Sequence, residues 1–274
     1  MSNQRPRSEF IDVDHASSPQ GYVECMDAQH GMDFIQMYKR RARTLLDLQP
    51  GLRVLDVGSG TGEDACEIAR LVAPTGGVIG LDYSQTMVDE AQQRCQDLHL
   101  PAKFVQGDAR RLSFADNTFD RCYASKTFQH LPDPQQALAE MIRVTRPGGL
   151  MLIVDPDHGT HLLDTPYPAV TERFFHFRAS GIRQPGIAHQ MYALCKDQGL
   201  IDIQVEPLTW ISTDYEQVHP LLRFVEGMRL AQEHGIVTRE EAESWIAHVE
   251  ESASNGRFFH AITYFITLAR KPVL

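Results

Sequence analysis

Long apolar runs are missing from this sequence: no stretch of its 274 residues approaches the roughly eighteen that a membrane-crossing helix needs. Met1 to Phe10 show no charged-then-apolar leader, and a soluble, cytoplasmic protein is expected. Cysteine is sparse. Cys25, Cys66, Cys95, Cys122 and Cys195 are scattered with no C-x-x-C pair, the pattern of a reduced compartment. Positive charge is also in short supply: 26 Lys and Arg stand against 36 Asp and Glu, a net charge of -10, so neither nucleic acid nor an anionic membrane is an expected partner. The one basic cluster, Lys39-Arg40-Arg41, falls on a predicted helix and reads as a solvated face. None of the twelve histidines forms an H-x-x-x-H or H-x-H pair backed by carboxylates, so no metal site is expected. Internal repeats and low-complexity tracts are absent too.

What the sequence does have is concentrated between Val54 and Asp64, Val-Leu-Asp-Val-Gly-Ser-Gly-Thr-Gly-Glu-Asp. Val54, Leu55 and Val57 read as a buried strand end, Gly58, Gly60 and Gly62 as a tight turn, and Ala65, Ile68, Ala69 and Val72 as the buried stripe of a helix. Such a unit lets the backbone come close to a nucleotide-type ligand. In the dinucleotide pattern G-x-G-x-x-G the third glycine would stand at position 63, which is Glu63, followed by Asp64. A pyrophosphate about 5 Å from those carboxylates would meet about 3 kcal/mol of repulsion per charge pair. A cofactor with an ammonium and a sulfonium and no phosphate meets no such objection, and Asp56 adds a further negative charge.

Asp56-Val-Gly58-Ser-Gly60-Thr-Gly62 resembles the first motif of class I S-adenosylmethionine-dependent methyltransferases, and four later segments stand in the same order and spacing. Asp82 closes the strand Val78-Ile79-Gly80-Leu81-Asp82, where an acid can accept hydrogen bonds from ribose hydroxyls. Gly107-Asp108-Ala109 follows the third strand, and the resemblance gives Asp108 the adenine amino group. Phe119-Asp120 opens a fourth strand ending near Ser125, followed by Phe128-Gln129-His130-Leu131-Pro132, and Arg146-Pro147-Gly148-Gly149 precedes the fifth. The likeness covers roughly residues 40 to 155 and leans towards ubiquinone and menaquinone C-methyltransferases and their small-molecule relatives. It implies S-adenosyl-L-methionine as cofactor, with Asp56, Gly58, Gly60, Asp82, Tyr83, Met87, Asp108, Ala109 and Ser125 around it. The fold implied is α/β, a Rossmann-like doubly wound sheet of seven strands, mostly parallel with an antiparallel final strand, plus helical cap elements.

The rest of the chain reads as apparatus around that core. One methyltransferase domain is expected over 1–274: a lid at 1–31, which Tyr22 and Met26 either line or simply pack within, a cofactor core at 32–155, cap or oligomer insertions at 156–186 and 211–256, and a final strand at 257–274. The first residues, to about 16, are polar and expected to be loose. Ser84 and Asp133 cap helices, one helix is expected to carry Val218, Leu221, Leu222 and Val225, and Thr238-x-x-Glu241 opens another. The strands 201–210 and 257–269 would close the sheet antiparallel. Phe174, Phe175 and Phe177 are either an apolar substrate wall or the core of the cap.

Methyl transfer needs alignment and exclusion of water; a base helps only when the acceptor must lose a proton. His130 and His158 each follow a strand at its carboxyl end and are the catalytic candidates, with Asp155 available to orient one of them and His176 and His189 as weaker candidates. The expected acceptor is a small, apolar or aromatic metabolite, methylated at carbon or oxygen, and no residue pattern separates these from nitrogen. Two other readings stand: an S-adenosylmethionine-binding protein of the same fold that cyclises without transferring methyl, and an NAD(P)-dependent oxidoreductase. A homo-oligomer fits the length of the second insertion.

Overall fold

In the computed structural model residues 13–16 and 18–273 are described; the looseness expected at the very start lies outside the described residues. Strands β1 (Arg53–Val57), β2 (Gly77–Asp82), β3 (Ala102–Gln106), β4 (Phe119–Ser125) and β5 (Thr145–Pro156) run parallel in the order β3-β2-β1-β4-β5. β8 (His260–Arg270) adds antiparallel to β5, and β7 (Ile201–Ser212) antiparallel to β8. A two-residue strip, β6 (Leu162–Leu163), also pairs with β8 and brings the strands to eight.

Side chains alternate across the strands, and the two faces fill separate layers. Val54, Leu152, Val154 and Ile266 pack on one side with α2 (Asp33–Leu45), α3 (Glu63–Val72) and α4 (Gln85–Asp97). Leu55, Val57, Met151 and Ile153 pack on the other with α5 (Pro134–Val144) and α7 (Ile187–Asp197). Burial on both faces explains why these strands read as near-continuous apolar runs. The expected helix caps form: the Ser84 and Asp133 side chains accept from the amides of Met87 and Gln136, and Thr238 makes a full capping box with Glu241 at the start of α10 (Arg239–Ser254).

Pairing geometry builds the crevice. β1, β2, β3 and β4 end at one edge of the sheet, and the antiparallel register sets Tyr264 opposite Pro156 and His260 opposite Ser212 at that same edge. Over it lie α1 (Pro19–His30), α6 (Pro168–Ala179), α8 (Tyr215–Leu222) and α9 (Phe224–Glu233). The cap has its own centre, where the Trp245 and Phe174 rings lie 5.0 Å apart and Trp245 Nε1 donates to Thr171 Oγ1 at 2.8 Å.

Three expectations need correction. The helix read through Val218 to Val225 is two helices, because Arg223 adopts a left-handed conformation (φ 46°, ψ 57°) between α8 and α9. Lys39 is no solvated residue: it is buried on the inner face of α2, 3.1 Å from Asp64, while Arg41 stays exposed and pairs with Glu206. Cys66 on α3 and Cys95 on α4 are joined in a disulfide, which scattered spacing does not announce, because the two helices meet only in the folded core.

Candidate active site

The turn between β1 and α3 places Gly58, Gly60 and Gly62 at φ of 73°, 52° and 83°, a region that L side chains rarely occupy. At Gly58 a Cβ would also lie 2.3 Å from Thr127 Oγ1, and at Gly60 2.3 Å from Met26 Cε. The turn folds back on β2. The amides of Gly58 and Ser59 donate to the Leu81 carbonyl at 2.7 and 3.0 Å, that of Gly60 to Asp82 Oδ2 at 2.9 Å, and that of Gly62 to the Ser59 carbonyl at 2.9 Å. A pyrophosphate cradle requires free amides at such a turn; these four are engaged.

Asp82 is thereby fixed at the end of β2, with Oδ1 accepting from the Ser84 amide at 2.9 Å, and burial pushes its carboxyl up from the usual range. Asp14 accepts from the Ser84 hydroxyl and from the amides of Gln85 and Thr86 at the start of α4; burial opposes its ionisation, but these bonds outweigh it and hold it down to about 2. Asp108 stands at the end of β3 paired with Arg110, whose Nη2 lies 2.6 Å from Oδ2, and the pairing lowers its carboxyl. Asp56 lies behind the turn, beside a small recess. Burial, then the neighbouring Asp64 charge, push its carboxyl well up, so the negative charge expected there is disfavoured. Asp56 Oδ2, Ser59 Oγ and Thr61 Oγ1 are buried without a hydrogen-bond partner among the described residues. Glu63 and Asp64 also face this recess, where Lys39, Arg43 and Arg94 compensate them, so the repulsion expected from them does not reach the main cavity.

Helix α1 sets Met26 on Gly60, Gln29 Oε1 2.5 Å from Lys126 Nζ, and Asp27 2.7 Å from Arg94. Beneath it runs one cavity of about 1300 Å³. Gly58, Gly60, Asp82, Asp108, Ala109 and Ser125 line it, as do Met87 and the exposed Tyr83; of the cofactor residues read from sequence only Asp56 is absent. Both candidate bases line it as well. His158 Nε2 lies 2.9 Å from Gln129 Oε1, and burial holds the rings of His158 and His130 down to about 4. Asp155 orients neither through a bond of its own. Its Oδ1 accepts from the Gln129 amide at 3.2 Å, so Gln129 stands between the acid and His158, and burial pushes Asp155 up to about 8. His189 pairs with Asp157, and the exposed His176 lies outside the cavity lining.

Comparison with known proteins decides what binds there. Residues 54–149 match a methyltransferase-domain family. Demethylmenaquinone methyltransferase of Halalkalibacterium halodurans is 30% identical over 179 residues, 59% of this chain and 73% of the relative. The chain is a class I S-adenosylmethionine-dependent methyltransferase. An uncharacterised 37.1 kDa protein in transposon TN4556 of Streptomyces fradiae is 32% identical over 90% of this chain and 71% of its own length. Other demethylmenaquinone methyltransferases are spanned over about half of their length. Among solved structures, the [4+2]-cyclase SpnF superposes with a TM-score of 0.55 at 24% identity, covering 89% of this chain and 84% of that one, a likeness of fold.

The methyltransferase takes S-adenosylmethionine as its cofactor, and the residues present fit it: glycines that leave no room for Cβ atoms, and a held acid at the end of β2. The other end of the cavity is the methyltransferase's own. Phe175, Phe177, Trp210, Leu221, Ile262 and Tyr264 supply apolar wall, whereas Phe174 turns away into the cap centre. Among them stand His161, stacked on Phe175 at 4.5 Å and 3.0 Å from His260, together with Arg178 and Arg223. Sequence reasoning named none of these last four. They come from four separate segments beyond the shared motifs, and His260 alone carried a signal, inside the final strand read at 257–269.

Proposed function

We propose that this methyltransferase methylates a small, apolar or aromatic metabolite held between the strand ends and the cap. The single observation that carries the reading is the continuity of one cavity from Gly58, Asp82 and Asp108 to Phe175, Trp210 and Tyr264. The bound cofactor supplies an electrophilic methyl group on a sulfonium. Gly58, Gly60, Asp82, Tyr83, Met87, Asp108, Ala109 and Ser125 would hold it, with α1 as roof. The chain's main contribution is then to align the acceptor and keep water out under lid and cap. Where the acceptor must lose a proton, His158 is the better-placed base: with Nε2–H donating to Gln129, the neutral ring carries its lone pair on Nδ1. His130 is the alternative, and either would contribute a factor of about 10² to 10⁴. The whole described chain acts as one methyltransferase domain, its second insertion serving as cap because α8 and α9 line the cavity.

Calorimetric titration with S-adenosylmethionine and, separately, NADH should show binding of the first alone. A screen of lipophilic phenols, quinones and prenylated compounds should then yield S-adenosylhomocysteine. An acceptor consumed with none released would mean cyclisation, and NADH binding would restore the dinucleotide reading. Turnover undiminished in both His130→Ala and His158→Ala would remove the base.

A further inference from the structure

The cap end of the cavity holds two guanidinium groups with no carboxylate against them among the described residues. Arg178, in the last turn of α6, lies mostly buried over the Phe174 ring at 5.8 Å. Burial, then the neighbouring Arg223, lower it to about 10, so it stays charged at neutral pH. The acids lining the cavity are Asp14, Asp82 and Asp108, all at the cofactor end and all engaged there. In a chain of net charge -10 this is an uneven distribution, with acid beside the cofactor and unpaired cation beside the acceptor.

Two local features maintain it at a cost to stability. A Cβ at Gly227 would lie 2.8 Å from Arg178 Nη1, so the glycine on α9 leaves the guanidinium its place. Arg223 holds a left-handed backbone that glycine would adopt without strain. A desolvated cation without a counter-charge and a strained non-glycine residue beside it persist where a ligand uses them.

We propose that the acceptor carries an anionic oxygen group on its apolar body, and that Arg178 with Arg223 receives it at the cap end of the cavity. This rests on the acceptor reading given above. A guanidinium presents paired N–H donors that match carboxylate, sulfonate or phosphate oxygens. A neutral analogue would leave Arg178 desolvated beside the charge of the exposed Arg223, so the site rejects uncharged molecules as well as holding charged ones.

Two fluorescent probes of one ring system test this in the presence of saturating S-adenosylhomocysteine: anilinonaphthalene sulfonate and its sulfonate-free parent, phenylnaphthylamine. The sulfonate should bind one per chain and about tenfold to a hundredfold tighter. Arg178→Met should abolish that preference, leave the neutral probe within about twofold and raise the melting temperature by about 2 °C, since it removes an unpaired buried cation. Arg178→Lys should keep part of the preference, and Gly227→Ala, which displaces the guanidinium without removing charge, should reduce it severalfold. Equal affinity for the two probes overturns the proposal, as does equal loss of both in Arg178→Met. Weaker S-adenosylhomocysteine binding in that variant assigns the arginine to the cofactor's own carboxylate and also overturns it. If Arg178→Met does not fold, Arg223→Met and Gly227→Ala decide by the same comparison. No methyl transfer is read, so failure here is separate from failure of the acceptor screen.

Discussion

Asp82 is held from two sides by backbone amides, Gly60 on Oδ2 and Ser84 on Oδ1, which leaves its outer lone pairs directed to whatever enters the cavity. Asp82→Ala is therefore expected to weaken S-adenosylmethionine binding by about 1 to 3 kcal/mol, read by calorimetry, through the loss of hydrogen bonds to a charged acceptor. His158 gives a pH signature. Its folded pKa of about 4 lies below the ordinary 6.5, so between those values the unfolded chain takes up a proton that the folded chain does not, and stability falls as pH falls. Urea titrations of the parent and His158→Gln should agree above pH 7 and diverge in the variant's favour below 6.5, by at most about 1.4 kcal/mol per pH unit. A constant gap across that range would show that the ring is charged in the fold. The role of this histidine was half legible: its place after the fifth strand marked it, but its partner did not follow from the sequence. Asp155 looked like the orienting acid because it is three residues away, yet a strand points alternate side chains to opposite faces, and the contact comes from Gln129 on another loop.

At the level of elements, periodicity located the helices and missed what interrupts or charges them. The stripe Val218, Leu221, Leu222 and Val225 continues in sequence through the break at Arg223, because hydrophobic spacing records burial and carries no signal of a left-handed residue. Arg223→Gly should relieve that backbone and raise stability by about 1 kcal/mol in thermal denaturation. Lys39 was legible and misread: it stands four residues after Ile35 and three before Ala42, on the buried face of α2. There it neutralises Asp64 and, at 3.9 Å, Glu63, whose carboxyl burial pushes up to about 7. Lys39→Met should cost about 3 kcal/mol of stability, since it leaves buried carboxylates short of a partner; an unchanged urea midpoint would mean that Arg43 and Arg94 suffice.

Over the whole molecule, the motifs that can be read from sequence lie at strand ends, where one fold always brings them together, and the proposed acceptor half cannot be read because its residues converge only through tertiary packing. His158, Phe175 with Arg178, Trp210, Arg223 and Tyr264 come from five separate segments. Binding that orders lid and core against each other should appear globally: at a hundredfold excess over its Kd, S-adenosylmethionine adds about 2.7 kcal/mol to stability, which scanning calorimetry should record as a rise of about 5 to 10 °C. The shared cavity also bears on the order of events in turnover. If the acceptor binds in the cavity as proposed, both reactants share one space and are present together before either product leaves. Initial velocities measured against both reactants should give lines that intersect rather than run parallel, the signature of a ternary complex.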